Sequence, residues 1–152
     1  MPTVIDMIEN LDKFNVKTET VRIFVANGNE IIGLNQEQML RGQTSEGKKI
    51  GKYSDSPMGK EYAEMKADMN SLPGKGNVDL KLEGDFQRDM KMKLQGEVID
   101  IDSADWKSPM LQKAYTPKIF GLQKESWQLF LDEVFMPELF NAIEDKTGLQ
   151  PN

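Results

Sequence analysis

The chain contains no cysteine and no histidine. Without cysteine there are no disulfides, thiolate zinc sites, iron–sulfur clusters or cysteine nucleophiles. Without histidine, Ser-His-Asp and Cys-His catalysis, imidazole ligands and the customary general base at neutral pH are also excluded. Catalysis would have to rest on carboxylates, lysines or a bound cofactor. Long apolar runs are lacking too, so no stretch is sized to span a bilayer and no membrane association is expected. The start, Met1-Pro2-Thr3-Val4-Ile5-Asp6, has neither the basic nor the long apolar region of a secretory signal. Basic charge is outnumbered, 19 against 25 acidic residues for a net charge of −6. Affinity for phosphates grows with the cations offered to them, so specific nucleic-acid recognition is not expected.

What is there is 152 residues without internal repeats, enough for one core, and a single domain over residues 1–152 is expected. Thr3 as cap, Asp6 in capping-box position and an apolar face of Val4, Met7, Ile8, Leu11 and Phe14 predict an N-terminal helix. Thr18 to Ile32 reads two ways. Val21, Ile23 and Val25 alternate ahead of Asn27-Gly28, a hairpin turn. Thr18 is also a possible cap for a helix containing Val21, Phe24 and Val25 and ended by Gly28, the reading we favour. Turn residues around Gly42 and Gly47 predict an irregular hairpin from Ile31 to Tyr53. Lys60–Met69 reads as a short helix, ended by the loop Leu72-Pro73-Gly74-Lys75-Gly76-Asn77.

Val78, Leu80 and Leu82 alternate with Asp79, Lys81 and Glu83, which predicts a strand. A hairpin follows, Met90 to Leu94 and Val98 to Ile101, turning at Gln95-Gly96. That turn places Leu94 opposite Glu97, Met92 opposite Ile99, Met90 opposite Ile101 and Lys91 facing Asp100. Pro109–Tyr115 reads as a short helix. Gln123–Lys146 reads as a long one, with Trp127, Phe130, Leu131, Val134, Phe135, Leu139 and Ala142 on one broad face and a kink or restart at Pro137. The fold class expected is α+β: a central antiparallel sheet with an N-terminal helix and a long C-terminal helix.

No constellation carries chemistry. Gly42-Gln43-Thr44-Ser45-Glu46-Gly47-Lys48-Lys49 has the spacing of a phosphate loop. However, Lys49 replaces the hydroxyl residue that would hold magnesium, Glu46 would face the phosphates, and a strand, not a helix, follows. A hairpin turn is expected there. Counting a calcium loop from Asp100 puts Asp105 at the sixth position and Leu111 at the twelfth, where glycine and glutamate are required. Asp102 shares the Asp100 face and reads as solvated. Glu83, Asp85 and Asp89 lie among Lys81, Arg88 and Lys91 and read as surface charge. No catalytic, metal or cofactor-binding residue is assigned, and the protein is not expected to be an enzyme. Binding is better represented. The chain has 10 methionines, adaptable at interfaces as well as in cores. The long helix is apolar on a second side, with Leu129 and Met136 roughly 180° from Trp127 and Phe140 near the same line, so these three are the candidate interface.

The run Ile31-Ile32-Gly33-Leu34-Asn35-Gln36-Glu37-Gln38-Met39, followed by Gly42, Gly47, Ile50 and Tyr53-Ser54, resembles small virion proteins of tailed Bacteroidetes phages, crAss-like phages among them. Val78-Asp79-Leu80 with Gly84-Asp85-Phe86 fits the same pattern. So do Ile101-Asp102-Ser103 with Lys107, Leu111 and Tyr115, and Ile119-Phe120-Gly121-Leu122 before the final helix. The Leu-x-x-Gly-Asp-Phe strand ahead of a hairpin is also similar to phage neck and tail-completion proteins more widely, with Glu83 where a small hydroxyl residue is usual. The resemblance implies a non-enzymatic subunit of a homo-oligomeric neck or head–tail connector ring. Its expected neighbours are the portal and adjoining neck or tail proteins, and its place is the virion, assembled in the host bacterial cytoplasm. It implies no site residues, because the matched positions are turn glycines and strand apolars. Negative charge suits a conduit through which DNA slides. A cytoplasmic phage accessory protein that binds a host protein, and a carboxylate-metal enzyme, are the other classes open to this sequence.

Overall fold

The computed structural model describes residues 2–81 and 84–150. The fold is α+β: helices, one two-stranded antiparallel sheet and a long helical run at the C-terminal end. It divides into two compact units. One combines the chain up to Gly28 with the chain from Gln128 onward, and the other is Asn29–Trp127.

The first unit is helical. Helix α1, Val4–Lys13, has the expected capping box: Thr3 Oγ1 accepts from the Asp6 amide at 3.1 Å and Asp6 Oδ2 accepts from the Thr3 amide at 2.8 Å. Helix α2, Val16–Ala26, settles the ambiguous segment in favour of helix, and its cap is Asn15, whose Oδ1 accepts from the Thr18 amide at 3.1 Å. It ends at Asn27, which donates through Nδ2 to the Ile23 carbonyl at 2.9 Å and to Glu138 Oε2 at 3.0 Å. From Gln128 the chain completes α7, Lys124–Phe130, passes through a π turn at Leu131–Phe135, and continues as α8, Met136–Thr147. Pro137 accounts for the π turn. It has no N–H to give, and in a regular helix its ring would press on the Glu133 carbonyl. The Met136 amide instead donates to the Leu131 carbonyl, five residues back, which widens the turn without breaking the helix.

Helix α8 packs on α1 and α2. Ile23, Phe130 and Ala142 are buried there, and the Phe24 ring lies 5.3 Å from Phe130 and 5.4 Å from Phe135. Glu19 is buried among them but not uncompensated, because Lys146 and Arg22 both pair with it, Arg22 at 2.9 Å. The hydrogen bond from Lys146, then that from Arg22, holds its carboxyl below the ordinary glutamate range. A depressed carboxyl stabilises the fold fully above its unfolded pKa and loses that contribution as pH falls through the folded one. Glu19→Gln is therefore expected to lower stability at neutral pH and to flatten the acid limb of a pH–stability curve below about pH 4.3. An unchanged acid limb would remove Glu19 from that role.

The second unit opens, from Asn29, within α3, Gly28–Leu40, which replaces the hairpin expected from Ile31 onward. Ile31, Asn35, Gln38 and Met39 all point inward, a helical spacing in which two of four positions are amides. The amides interrupt the apolar period, and the turn residues around Gly42 and Gly47 extend only over the segment after the helix. Asn35 Nδ2 donates to the Ile119 carbonyl at 3.0 Å, and its Oδ1 accepts from the Gly121 amide at 2.9 Å. Gln38 Nε2 donates to the Gly121 carbonyl at 2.9 Å, and its Oε1 accepts from the Gln123 amide at 2.8 Å. Two side chains on successive turns thus hold the backbone of the irregular segment 119–123. Residues 42–49 then form the expected turn, with a single bridge between Gln43 and Lys49. Gly42 is required there. Its φ is +71°, and a Cβ would come within 2.9 Å of the Val78 carbonyl oxygen.

Helix α4, Pro57–Met69, extends the predicted helix by a turn from a Ser56 cap. The strand expected from Val78 does not form over Val78–Lys81. Val78 and Asp79 are consecutive and both buried, which no alternating strand permits, and Leu80 sits at φ +58°. Leu82 and Glu83 lie outside the described residues. Asp79 is buried because it meets Lys66 of α4: Lys66 Nζ is 2.6 Å from Asp79 Oδ1, and both side chains are at most 5% exposed. Asn70 Nδ2 donates to Asp79 Oδ2 at 3.0 Å and the Lys81 amide to Oδ1 at 3.0 Å.

After the short helix α5, Asp85–Arg88, strands β1, Met90–Gln95, and β2, Val98–Ser103, form the predicted hairpin in a different register. Leu94 pairs with Ile99, Met92 with Ile101 and Met90 with Ser103, while Lys91 faces Asp102 and Lys93 faces Asp100. The loop is Gly96-Glu97, not Gln95-Gly96. Gly96 has φ +62° and Glu97 does not have positive φ, so glycine takes the first loop position, as a type II′ turn requires. Moving the loop by one residue moves each partner by two, so the faces are unchanged: Met90, Met92, Leu94, Ile99 and Ile101 still share one side. Helix α6, Ser108–Ala114, is the expected short helix, followed by a 3-10 turn at Pro117–Ile119.

Candidate functional site

Helix α1 places its apolar side chains unlike a core helix. No residue of it is buried. Met7 and Phe14 are half-buried, but Val4 is 72% exposed and Ile5, Ile8 and Leu11 are exposed with it. Val4, Ile8 and Leu11 stack on one line at helical spacing, and Ile5 flanks them. The capping box and Lys13 in the last turn fix the helix ends, so the stripe is held in register on an ordered segment. In α2, Val21 and Val25, one turn apart, are exposed as well.

Of the three residues expected at an interface, Leu129 is exposed, and Met136 and Phe140 are half-buried. The π turn lies between Leu129 and Met136 and rotates the residues after it relative to those before, so the straight-helix spacing that aligned them does not carry across. The α1 stripe is visible in the sequence as an apolar face, with no sign there of whether it meets the core or a partner. Its ten-residue length, set by Thr3 and Phe14, and the polar Asp6, Glu9 and Asp12 between its apolar residues fit a surface helix equally well.

The second unit carries an apolar face of its own. On α4, Met58, Tyr62, Met65 and Met69 recur at helical spacing and are all exposed, Met58 at 82%. Lys66, beside that line and one turn from Tyr62, is buried and is the residue tied to Asp79. The helix therefore buries a lysine and exposes methionines, the reverse of an ordinary amphipathic helix.

The residues considered for chemistry are occupied structurally. Asp102 Oδ1 accepts from the Ser103 amide at 2.7 Å and from Ser108 Oγ at 2.8 Å, and Asp105 Oδ1 accepts from the Lys107 amide at 2.8 Å. Asp85 pairs with Arg88. Glu46, in the glycine-flanked turn, is held below the ordinary glutamate range by Lys118 and points to no anion site. Among the described residues, no three carboxylates converge to hold a metal ion. No helix among them is long and apolar enough to cross a membrane.

Comparison with family models, with curated proteins and with solved structures gave no match. What the chain does is therefore argued from its own surfaces.

Proposed function

We propose that this protein is a structural subunit that assembles with copies of itself into a ring in the neck of a tailed Bacteroidetes phage, joining portal to tail, and that it has no enzymatic activity. The observation that carries the reading is the uncovered apolar stripe of α1. A capped helix of ten residues gains most of its stability from burying its apolar face, and this one leaves Val4, Ile5, Ile8 and Leu11 exposed, with only Met7 of its apolar residues half-buried. Two unlike faces favour copies of the chain over a single foreign partner. A closed ring needs a different patch on each side of the subunit, and the stripes of α1 and α4 are different in composition and lie in different units. The resemblance in residues 31–122 supplies the neck assignment.

Two experiments test the reading at different levels. Quantitative mass spectrometry of purified phage particles is expected to find the chain at a copy number of the order of the portal's. Its absence from particles would overturn the neck assignment and favour the cytoplasmic accessory role. Ile5→Glu with Ile8→Glu is expected to change folding stability by less than about 0.5 kcal/mol per site, as for exposed positions, and to abolish incorporation. If incorporation persists, the contact lies elsewhere, and Leu129→Glu is the next variant to measure.

A further inference from the structure

The second unit contains an open cleft of about 440 Å³ that shares only Tyr62 with the faces of the assembly reading. Val78, Leu80, Phe86 and Leu111 give it apolar surface, and three phenols, Tyr53, Tyr62 and Tyr115, stand around them. The rings of Tyr53 and Tyr62 meet edge to face at 5.0 Å. Burial pushes all three phenols up from their ordinary value, and the charge of Asp79 adds to this at Tyr53 and Tyr62. Their hydroxyls therefore stay protonated and able to donate.

Among the described residues the charged lining is unbalanced, with Lys66, Lys81 and Lys107 against the carboxylate of Asp85. Lys66 is committed to Asp79, and Asp85 to Arg88. Lys107 reaches Asp105 only at 3.9 Å and lies 6.0 Å from the Trp106 ring. What the cleft offers a visitor is thus the ammonium groups of Lys81 and Lys107, phenol donors and ring surfaces. Leu80, which lines it, is the only non-glycine residue with positive φ among the described residues. Strain of that kind collects where the surrounding structure fixes a site.

We propose that this cleft binds a small organic carboxylate whose body is one or two aromatic rings. The rings lie against the tyrosine and leucine surfaces, and the carboxylate accepts from Lys81 and Lys107. The volume is in the range of small-molecule sites, and charge-assisted hydrogen bonds to ammonium groups select an anion over a neutral or cationic ring. A cationic ligand of the same shape meets two like charges.

Titration of the ¹⁵N-labelled full chain with 2-naphthoate tests this. Saturable shifts are expected at the amides of Tyr53, Tyr62, Lys81, Lys107 and Tyr115. The neutral analogue 2-naphthamide, and the variant carrying Lys81→Gln and Lys107→Gln, are each expected to bind at least about tenfold more weakly. Both lysines are away from the buried core, and the variant's own spectrum confirms that its fold is kept. Equal affinity for 2-naphthamide, shifts centred on Val4–Leu11, or no saturation at millimolar concentration would each overturn the proposal.

Discussion

Lys66→Met alone is expected to destabilise the protein by about 3–5 kcal/mol, because it leaves the Asp79 carboxylate buried without its cation. The bonds from Asn70 and from the Lys81 amide remain, and neither neutralises the charge. Lys66→Met combined with Asp79→Asn removes both charges together and is expected to recover at least about half of that loss, since replacing a buried pair by neutral groups is often close to neutral. Urea unfolding of the two variants measures the difference directly. A single variant within about 1 kcal/mol of the parent would mean that water reaches Asp79 and that the pair is not sealed. Recovery in the double variant is the decisive sign, because simple loss of packing predicts the reverse order.

The second large effect is at the amide clasp of α3. Asn35→Leu and Gln38→Leu put a branched apolar side chain in place of each amide and leave the Gly121 amide and the Ile119 carbonyl, or the Gln123 amide and the Gly121 carbonyl, without partners. Each buried orphan costs about 1–3 kcal/mol, so either substitution is expected to cost about 2–4 kcal/mol. Helix α3 itself gains a better helix former, so its intrinsic propensity does not offset the sign through a weaker helix. Hydrogen exchange offers a second readout: the amides of Gly121 and Gln123 should lose protection in the respective variant while those of β1 and β2 keep it. Equal loss across the unit would mean that the clasp acts as general packing.

These two features also mark where the sequence stops being readable. Apolar spacing and breaker residues found α1, α4, α6 and the C-terminal helical run, and a capping box marked the start of α1 as well. It found the hairpin faces as well, since the pattern Met90-Lys91-Met92-Lys93-Leu94 survives any shift by two. Register depended on which loop position Gly96 takes, a matter of turn geometry to which the apolar pattern is blind. The missed helix α3 and the missing strand at Val78 share one cause: their inward positions are polar. Asn35, Gln38, Lys66 and Asp79 are buried with partners more than ten residues away, and nothing local announces those partners. Asn35 and Gln38 do lie between Ile31 and Met39 on one helical face, which was the available signal.

The candidate surface failed in the opposite direction. An apolar stripe reads the same whether it meets a core or a partner, and the sequence pointed to Leu129, Met136 and Phe140 instead of the α1 face. What distinguishes it is only the structure's finding that Met7 and Phe14 meet the unit from the edge of that stripe, leaving Val4, Ile8 and Leu11 outside. The methionines of α4 carry the same lesson, because on that helix they are exposed and Lys66, beside them, is buried.

Sedimentation velocity on the purified full chain, beside its Ile5→Glu, Ile8→Glu variant, tests the ring directly. The parent is expected to sediment as a discrete closed oligomer in equilibrium with monomer at tens of micromolar, and the variant as a folded monomer alone. A parent that stays monomeric throughout that range, or a variant that assembles as the parent does, would contradict it.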